Sequence, residues 1–261
     1  MSRLRLASGA RDAEGALLRV TPERAGWRYV GFEVVRVEGS PLHRALDGRE
    51  ACLVLLGGAC VVRSGGSAFD LAGRATPFDG PPAAAYLPPG SSFTLEGQGE
   101  VAIGTAPARS GPAACALSAA GARLEVRGTG AMERRIHHIL MEDRPASSLL
   151  VTEVVTPGGH WSSYPPHKHD EDDPPRETAL EESYYHRLRD GKGFAVQRVY
   201  TADRSLDETV AVRDGDLVLV PRGFHTVSAA PGYDLYYLNV MAGPRREWKV
   251  TFDREHRWLL G

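Results

Sequence analysis

The chain has few cysteines and no long hydrophobic run. Its cysteines are Cys52, Cys60 and Cys115, and the first two lie in the apolar runs ACLVLL and GACVV. This odd set predicts buried free thiols and argues against a disulfide framework. No segment approaches the roughly 18 apolar residues of a membrane span, and the N-terminal residues lack the apolar core of a signal peptide. We therefore expect a cytoplasmic protein that does not insert into a membrane.

Lysine is also scarce, because Lys168, Lys192 and Lys249 are the only lysines and arginine carries nearly all of the positive charge. The arginines are not clustered, and the formal net charge is -2. This balance gives no reason to expect nucleic acid or an anionic membrane surface as a partner. The 261 residues, 42% hydrophobic and 25% charged, are enough for one large or two small globular domains.

What the chain does contain is a long series of short strand-like segments. Its 29 glycines and 18 prolines separate runs of β-branched, aromatic and aliphatic residues, such as WRYVGFEVVRV, SLLVTEVVTP and DLYYLNVMAG. This pattern predicts an all-β protein made of antiparallel barrels or sandwiches. Long amphipathic helices are rare, and residues 133–146 are expected to connect two halves and to contain a short helix.

A weak internal sequence repeat suggests that the chain has two similar halves. The segment AAAYLPPGSSF places Pro88, Gly90 and Ser92 where LVLVPRGFH places Pro221, Gly223 and His225. In both segments a strand ends at a Pro-x-Gly turn, where proline presets φ and glycine accepts a left-handed conformation. The first copy has a serine where the second has a histidine.

Four residues of the second half have the chemistry of metal ligands: His167, His169, Glu182 and His225. The i, i+2 spacing of His167 and His169 places both imidazoles on one face of a strand. Three imidazoles and one carboxylate suit a divalent ion such as zinc, manganese, nickel or iron. Such an ion inside a sheet-built cavity points to enzyme chemistry.

The HxH pair, the later glutamate and the segment GDLVLVPRGFH together resemble a cupin barrel, and two copies in one chain resemble a bicupin. The runs WSSYPPHKHD, LEESYYHR, GFAVQRVYTADRSLDE and DLVLVPRGFHTVSAAPGYDLYYLNVMAGP and the terminal HRW more closely resemble the 5-deoxy-glucuronate isomerase family of bacterial inositol catabolism. That family is related to the 5-keto-4-deoxyuronate isomerases of pectin breakdown. The first half matches that family only in its length and in the spacing of its short strand-like segments.

The resemblance implies two tandem jelly-roll-like cupin barrels. Residues 1–130 would form an N-terminal barrel without metal ligands, and residues 131–261 a C-terminal barrel that carries the metal site. It also implies an aldose–ketose isomerase that acts on a deoxy-uronic acid with a divalent metal. The expected reaction converts 5-deoxy-D-glucuronate to 2-deoxy-5-keto-D-gluconate.

The interval between His169 and the fourth ligand is longer than in a simple cupin. Residues 170–181 (DEDDPPRETALE) fill it with further carboxylates, among them the alternative candidates Asp170, Glu171, Glu177 and Glu181. We favour Glu182 because it begins the aromatic strand and matches the family pattern Glu-x-Tyr. The insert itself is expected to be a solvated loop, with a lid over the site as the alternative.

Further site residues follow from strand parity and from the substrate. Tyr184 and His186 share the parity of Glu182. His186, Tyr237 and a metal-bound hydroxide are the candidate bases for moving the proton. The substrate carboxylate calls for an arginine, for which Arg198 is the first candidate and Arg222 the second. Gln197 and Tyr184 are the other candidate substrate contacts, although periodicity does not say whether Gln197 or Arg198 faces inward.

Two other classes of function stay open. A cupin with the same ligands can be a metal-dependent dioxygenase, and a bicupin can be a non-catalytic sugar sensor or storage protein. The related 5-keto-4-deoxyuronate isomerase activity is an alternative within the same class. The sheet edges of two barrels favour a homo-oligomer.

Overall fold

A computed structural model describes residues 4–260 and is built almost entirely of strands. The first ten strands are β1 (Arg5–Leu6), β2 (Ala16–Val20), β3 (Gly31–Glu38), β4 (Leu42–Ala45), β5 (Arg49–Ser64), β6 (Ser67–Arg74), β7 (Ala84–Leu87), β8 (Ser92–Pro107), β9 (Cys115–Leu117) and β10 (Arg123–Arg127). The next ten are β11 (Arg134–Leu140), β12 (Leu150–Thr156), β13 (Trp161–Lys168), β14 (Glu181–Leu188), β15 (Ala195–Tyr200), β16 (Asp207–Val212), β17 (Leu217–Val220), β18 (Phe224–Ala229), β19 (Leu235–Ala242) and β20 (Thr251–Phe252). The helices are α1 (Pro22–Ala25) and the 3₁₀ segments Ala119–Gly121, Gly130–Met132, Arg189–Gly191 and Arg254–Leu260. The prediction of an all-β chain is confirmed.

The strands form three sheets. One has the order β2-β3-β8-β5-β7-β9, with β4 also paired to β8 and β6 to β5. A second has the order β16-β15-β18-β13-β20, and the third has the order β1-β17-β14-β19-β12-β11-β10. No helix within the described part of the chain has the length and apolar character that a membrane crossing requires.

The chain divides into two compact units. One unit contains residues 4–7, 124–136 and 153–260, and the other contains residues 8–123 and 137–152. This division differs from the single boundary that the sequence predicted at residue 130. In the first unit, the start of the chain pairs with a late strand, since Arg5 and Leu6 lie opposite Val218 and Leu217.

The segment expected to connect the two halves is not helical, so that prediction is wrong. Residues Arg134–Leu140 form β11, and only Gly130–Met132 before it turns as a 3₁₀ segment. The first residues of RRIHHIL alternate between buried and less buried positions, which is the period of a strand.

Each unit has its own apolar core. In the unit that contains the histidines, valines from β15 to β18 pack with aromatic residues of β14 and β19. This core includes Val199, Val218, Val227, Tyr184 and Tyr237. The other unit has a core of aliphatic residues from β3, β5, β7 and β8, including Val35, Leu53, Leu55, Leu87 and Ile103. The core around the histidines therefore contains hydroxyl groups, which an aliphatic interior lacks.

Candidate metal centre

Three buried histidines converge from two neighbouring strands. His167 lies directly opposite His225 in the pairing of β13 with β18, and His169 follows the end of β13. The ring centroids lie 4.6 Å apart for His167 and His225 and 5.1 Å apart for His169 and His225. One nitrogen of each of the three rings lies within 4.8 Å of the others. The i, i+2 spacing thus brings both imidazoles of the pair to one side.

A carboxylate from the other sheet reaches the same point. Glu182 is on β14 and is only 3% exposed. Its Oε2 lies 2.9 Å from Nε2 of His169 and 3.0 Å from Nε2 of His225. The four residues predicted as ligands are therefore neighbours in the structure.

The outer ring nitrogens of two histidines are oriented by backbone carbonyls. The Nδ1 of His169 lies 3.1 Å from the carbonyl of Leu180, and the Nδ1 of His225 lies 3.2 Å from that of Gly223. In the tautomer that binds a metal ion, each Nδ1 keeps its proton for the carbonyl and each Nε2 lone pair is free for the ion. Metal-binding histidines are typically held by such a hydrogen bond from the other ring nitrogen.

Burial and mutual proximity control the charges of the cluster. Burial, followed by the neighbouring imidazoles, holds the pKa of His167 well below its ordinary value. Burial opposes ionisation of Glu182, but hydrogen bonding by His169 and His225 outweighs it and lowers the pKa of Glu182 to about 2. The site therefore combines a carboxylate with an imidazole that resists protonation, and both are the forms that bind metal ions.

The acidic insert 170–181 is anchored beside the cluster. Its buried residue Glu177 accepts hydrogen bonds from the backbone N–H groups of Asp170 and Glu171, both at 2.9 Å, and from Lys168 at 3.0 Å. The insert then returns to His169, whose carbonyl accepts from the N–H of Leu180 at 2.8 Å. Glu177 thus orders the insert, and Glu182 is the carboxylate that contacts the imidazoles.

Aromatic residues extend the site along the same face of β14 and β19. Tyr184 lies opposite Asn239, and His186 lies opposite Tyr237. The ring of Tyr184 is 5.7 Å from that of His225 and stacks on His186 at 6.1 Å. Tyr184 therefore lies next to the cluster, and His186 stacks on the ring of Tyr184.

His186 is a neutral imidazole in this setting. It is fully buried, and neither ring nitrogen has a hydrogen-bond partner among the described residues. Burial lowers the pKa of His186 to about 4. At neutral pH it therefore offers a lone pair, although it is a weak base.

Two serines in the run WSSYPPHKHD bind the tyrosine hydroxyls, and the sequence analysis missed them. Ser162 Oγ hydrogen-bonds to the hydroxyl of Tyr237, and Ser163 Oγ lies 2.9 Å from that of Tyr184. Burial raises the pKa of both phenols, so both keep their protons at neutral pH. Their place four and five residues before His167, on the same strand, was the available signal.

The structure does not bring Arg198 or Arg222 to the cluster. On β15, Val199 lies opposite His225, so Gln197 shares the inward face and Arg198 has the outward one. Arg198 forms a bidentate ion pair with Asp207, with both bonds at 2.9 Å. The assignment of Arg198 to the substrate carboxylate is therefore corrected.

Gln197 takes the inward position instead. It is fully buried, and its amide nitrogen and oxygen have no hydrogen-bond partner among the described residues. The other candidate cation, Arg222, is exposed and donates to Ser205 at 3.4 Å. A buried amide without partners is costly, which suits a position beside a polar ligand.

The residues present fit a divalent ion. A set of three imidazoles and one carboxylate supplies neutral and anionic donors of the kind that zinc, manganese, nickel and iron accept. His167 also contacts Trp248 and Phe252 edge-on, at 5.8 Å and 6.0 Å between ring centroids. These aromatic walls limit the access of water on that side.

Known proteins resemble this chain over its full length. A 5-deoxy-glucuronate isomerase of Geobacillus kaustophilus is 49% identical over 265 residues, which cover 100% of this chain and 96% of that protein. A crystal structure of an IolB-like protein from Salmonella typhimurium LT2 is 40% identical, covers 100% of both chains and superposes with a TM-score of 0.96.

More distant structures show the fold alone. A Bacillus subtilis oxalate decarboxylase, a protein with Mn(II) centres, is 12% identical and superposes with a TM-score of 0.65 over 97% of this chain and 80% of that one. This likeness confirms the bicupin architecture. A family model described as KduI/IolB matches residues 4–259, and so this chain belongs to the KduI/IolB family.

Proposed function

We propose that this protein is a metal-dependent 5-deoxy-glucuronate isomerase, which converts 5-deoxy-D-glucuronate to 2-deoxy-5-keto-D-gluconate in inositol catabolism. The observation that carries the proposal is the convergence of His167, His169, Glu182 and His225 at one buried point. The full-length relatives named 5-deoxy-glucuronate isomerase supply the substrate.

The reaction moves one proton between neighbouring carbons and leaves the oxidation state of the whole sugar unchanged. A base removes the hydrogen of C2, an enediolate forms, and a proton returns to C1. A divalent ion held by His167, His169, Glu182 and His225 would supply Lewis-acid stabilisation of the negative charge that develops during the reaction. No other reactant is needed.

In this proposal, Tyr237 is a hydrogen-bond donor and His186 is the proton acceptor of the reaction. Tyr237 keeps its proton because burial raises the pKa of its phenol, so it donates a hydrogen bond to an oxygen of the enediolate. His186 is neutral and has a free lone pair, so it is the acceptor. Tyr184 and Gln197 line the same interior and contact the sugar hydroxyls.

Three statements about this chain stay predictions. The metal is zinc, manganese, nickel or iron, since the donor set accepts each of these ions. The cytoplasmic location and the homo-oligomeric state also rest on the sequence analysis.

The decisive experiment is an anaerobic incubation of the purified, metal-loaded protein with 5-deoxy-D-glucuronate in D₂O, followed by NMR. We expect the ketose to form without oxygen and with deuterium at the carbon that receives the proton. An unchanged sugar acid would refute the proposal. A parallel incubation with 5-keto-4-deoxyuronate tests the related activity, and a strict requirement for oxygen would point to a dioxygenase.

A further inference from the structure

A buried arginine lies beside the metal centre without an acidic partner. Arg134 is the first residue of β11 and is only 7% exposed. One terminal nitrogen donates to two backbone carbonyls, those of Met132 at 2.9 Å and Tyr164 at 3.3 Å. Its Nε and second terminal nitrogen bond to no other residue within 4–260. A guanidinium has five N–H groups in a planar fork, so most of its hydrogen-bonding capacity is unused.

Arg134 is bonded to no described carboxylate, although the charge of Glu125 acts to raise its pKa. It forms no ion pair with any of residues 4–260, and burial lowers the pKa of its guanidinium. A buried cation is expensive unless an anion pairs with it. Gly128 keeps the space beside this hydrogen bond open, since a Cβ there would lie 2.2 Å from the carbonyl oxygen of Met132 and 2.9 Å from the bonded terminal nitrogen of Arg134. The fold therefore holds a buried cation that no described carboxylate contacts, since Glu125 is bonded to Arg127.

The position of Arg134 connects it to the reacting groups. Its carbonyl partner Tyr164 lies on β13, between the serines that bind the tyrosine hydroxyls and His167. Its positive charge lowers the pKa of both Tyr237 and His167. The guanidinium is therefore close enough to act on the phenol and on the histidine cluster.

The other cations near the site already have acidic partners. Lys168 binds Asp170, Glu171 and Glu177 at 2.7 to 3.0 Å. The guanidinium of Arg127 binds both oxygens of Glu125, at 2.7 and 3.0 Å, and lies over the ring of Trp248. An incoming anion would have to displace those carboxylates, whereas Arg134 has open donors.

We infer that Arg134 binds the carboxylate of the sugar acid and thereby selects uronic acids over neutral sugars. This inference rests on the proposed isomerase function, since it assigns the acid group of that substrate. The free Nε and terminal N–H groups match the two oxygens of a carboxylate. Binding this end of the sugar would hold the aldehyde end at the four metal ligands and the hydroxyl of Tyr237.

The test compares an acid and a neutral substrate. Wild type, Arg134→Gln, Arg134→Lys and the matched surface control Arg198→Gln are assayed with 5-deoxy-D-glucuronate and with 5-deoxy-D-glucose, which carries a hydroxymethyl group in place of the carboxylate. For Arg134→Gln we expect the KM for the acid to rise about 100-fold with the KM for the neutral sugar unchanged, because a buried charge pair loses one partner. Arg134→Lys keeps the positive charge but not the planar guanidinium, so its KM for the acid should lie between those of wild type and Arg134→Gln. Arg198→Gln should match wild type.

Several results would overturn the inference. One is a wild-type KM that is the same for both sugars, and another is an Arg134→Gln variant that keeps the wild-type preference for the acid. If Arg134→Gln does not fold, the wild-type preference and its reduction in Arg134→Lys decide the question. If wild type turns over neither sugar, the proposed function fails separately. Calorimetric binding of glucuronate and glucose to wild type and Arg134→Lys then tests the arginine alone, with acid-selective binding weakened in the variant as the supporting result and equal binding as the contrary one.

Discussion

The Oε2 of Glu182 lies 2.9 Å from the Nε2 of His169, so a carboxylate from one sheet meets the imidazole that directly follows a strand of another inside a single compact unit. Their contact places a carboxylate and an imidazole close enough together to bind the same ion. This contact is expected to hold a metal ion.

Removal of one ligand should release the metal and abolish turnover together. We expect His225→Ala and Glu182→Gln to lose most of the bound metal, because each deletes a donor that the remaining residues cannot replace. Elemental analysis of the purified variants measures the stoichiometry, and circular dichroism verifies the fold. His43→Ala is the control, since His43 is bonded to Thr94 in the other unit. Full metal occupancy in both ligand variants would show that the ion is bound elsewhere.

Tyr237 and Tyr236 offer a matched pair on opposite faces of β19. Tyr237→Phe should lower kcat by about 100-fold with the metal content unchanged, because it deletes a hydrogen-bond donor to the developing enediolate. Tyr236→Phe should leave kcat unchanged and lower the free energy of unfolding by about 1 to 3 kcal/mol, since the hydroxyl of Tyr236 binds Glu153 at 3.0 Å. Steady-state kinetics and urea denaturation of both variants separate the two roles. Equal loss of kcat in both would remove Tyr237 from the mechanism.

His186 should make the protein less stable in mild acid. Burial lowers the pKa of His186 from 6.5 to about 4. Between these two pH values His186 is therefore protonated in the unfolded chain and neutral in the folded chain. The free energy of unfolding therefore falls as pH drops from about 6.5 to about 4, and the total loss approaches about 3 kcal/mol. Above pH 6.5 this histidine contributes no pH dependence.

His186→Leu should remove this part of the pH dependence. Urea denaturation of wild type and variant, both freed of metal by a chelator, gives two stability curves in which the other titrating groups cancel. The curves should run parallel above pH 6.5, and wild type should fall relative to the variant below it. Curves that stay parallel down to pH 4 would mean that His186 is accessible to protons in the folded state.

The sequence was sufficient for the features that strand periodicity determines. His167 and His169 lie on one side because their spacing is two, and Tyr184 and His186 share the face of Glu182 for the same reason. Periodicity could not decide the phase of AVQRVY, because both Gln197 and Arg198 are polar. Only the register that sets Val199 against His225 shows that Gln197 faces inward.

Arg134 was missed because its segment was expected to be a connector. The run RRIHHIL contains two adjacent arginines, and only the position of β11 shows that the first is buried. Its bonds reach Met132 and Tyr164, and the second of these is far along the chain. Contacts between residues distant in sequence depend on tertiary structure and cannot be predicted from the local sequence pattern.

Glu50 is another residue that local pattern could not identify, and it leads to a prediction about stability. This fully buried carboxylate accepts hydrogen bonds from the Tyr86 hydroxyl at 2.7 Å and from the backbone N–H groups of Ser147, Ser148 and Leu149 at 2.9, 2.6 and 2.7 Å. It thereby fixes residues 147–149 to the unit that contains residues 8–123.

Glu50→Gln should destabilise that unit by about 2 to 4 kcal/mol. The amide keeps one acceptor oxygen and replaces the other with an NH₂ group, which faces N–H donors and leaves them unsatisfied. Glu96→Gln is the control, because Glu96 forms an exposed pair with Arg63 whose contribution should be below about 1 kcal/mol. Urea denaturation measures both variants, and elemental analysis should show unchanged metal content in each. A Glu50→Gln variant as stable as the control would mean that residues 147–149 do not depend on this carboxylate.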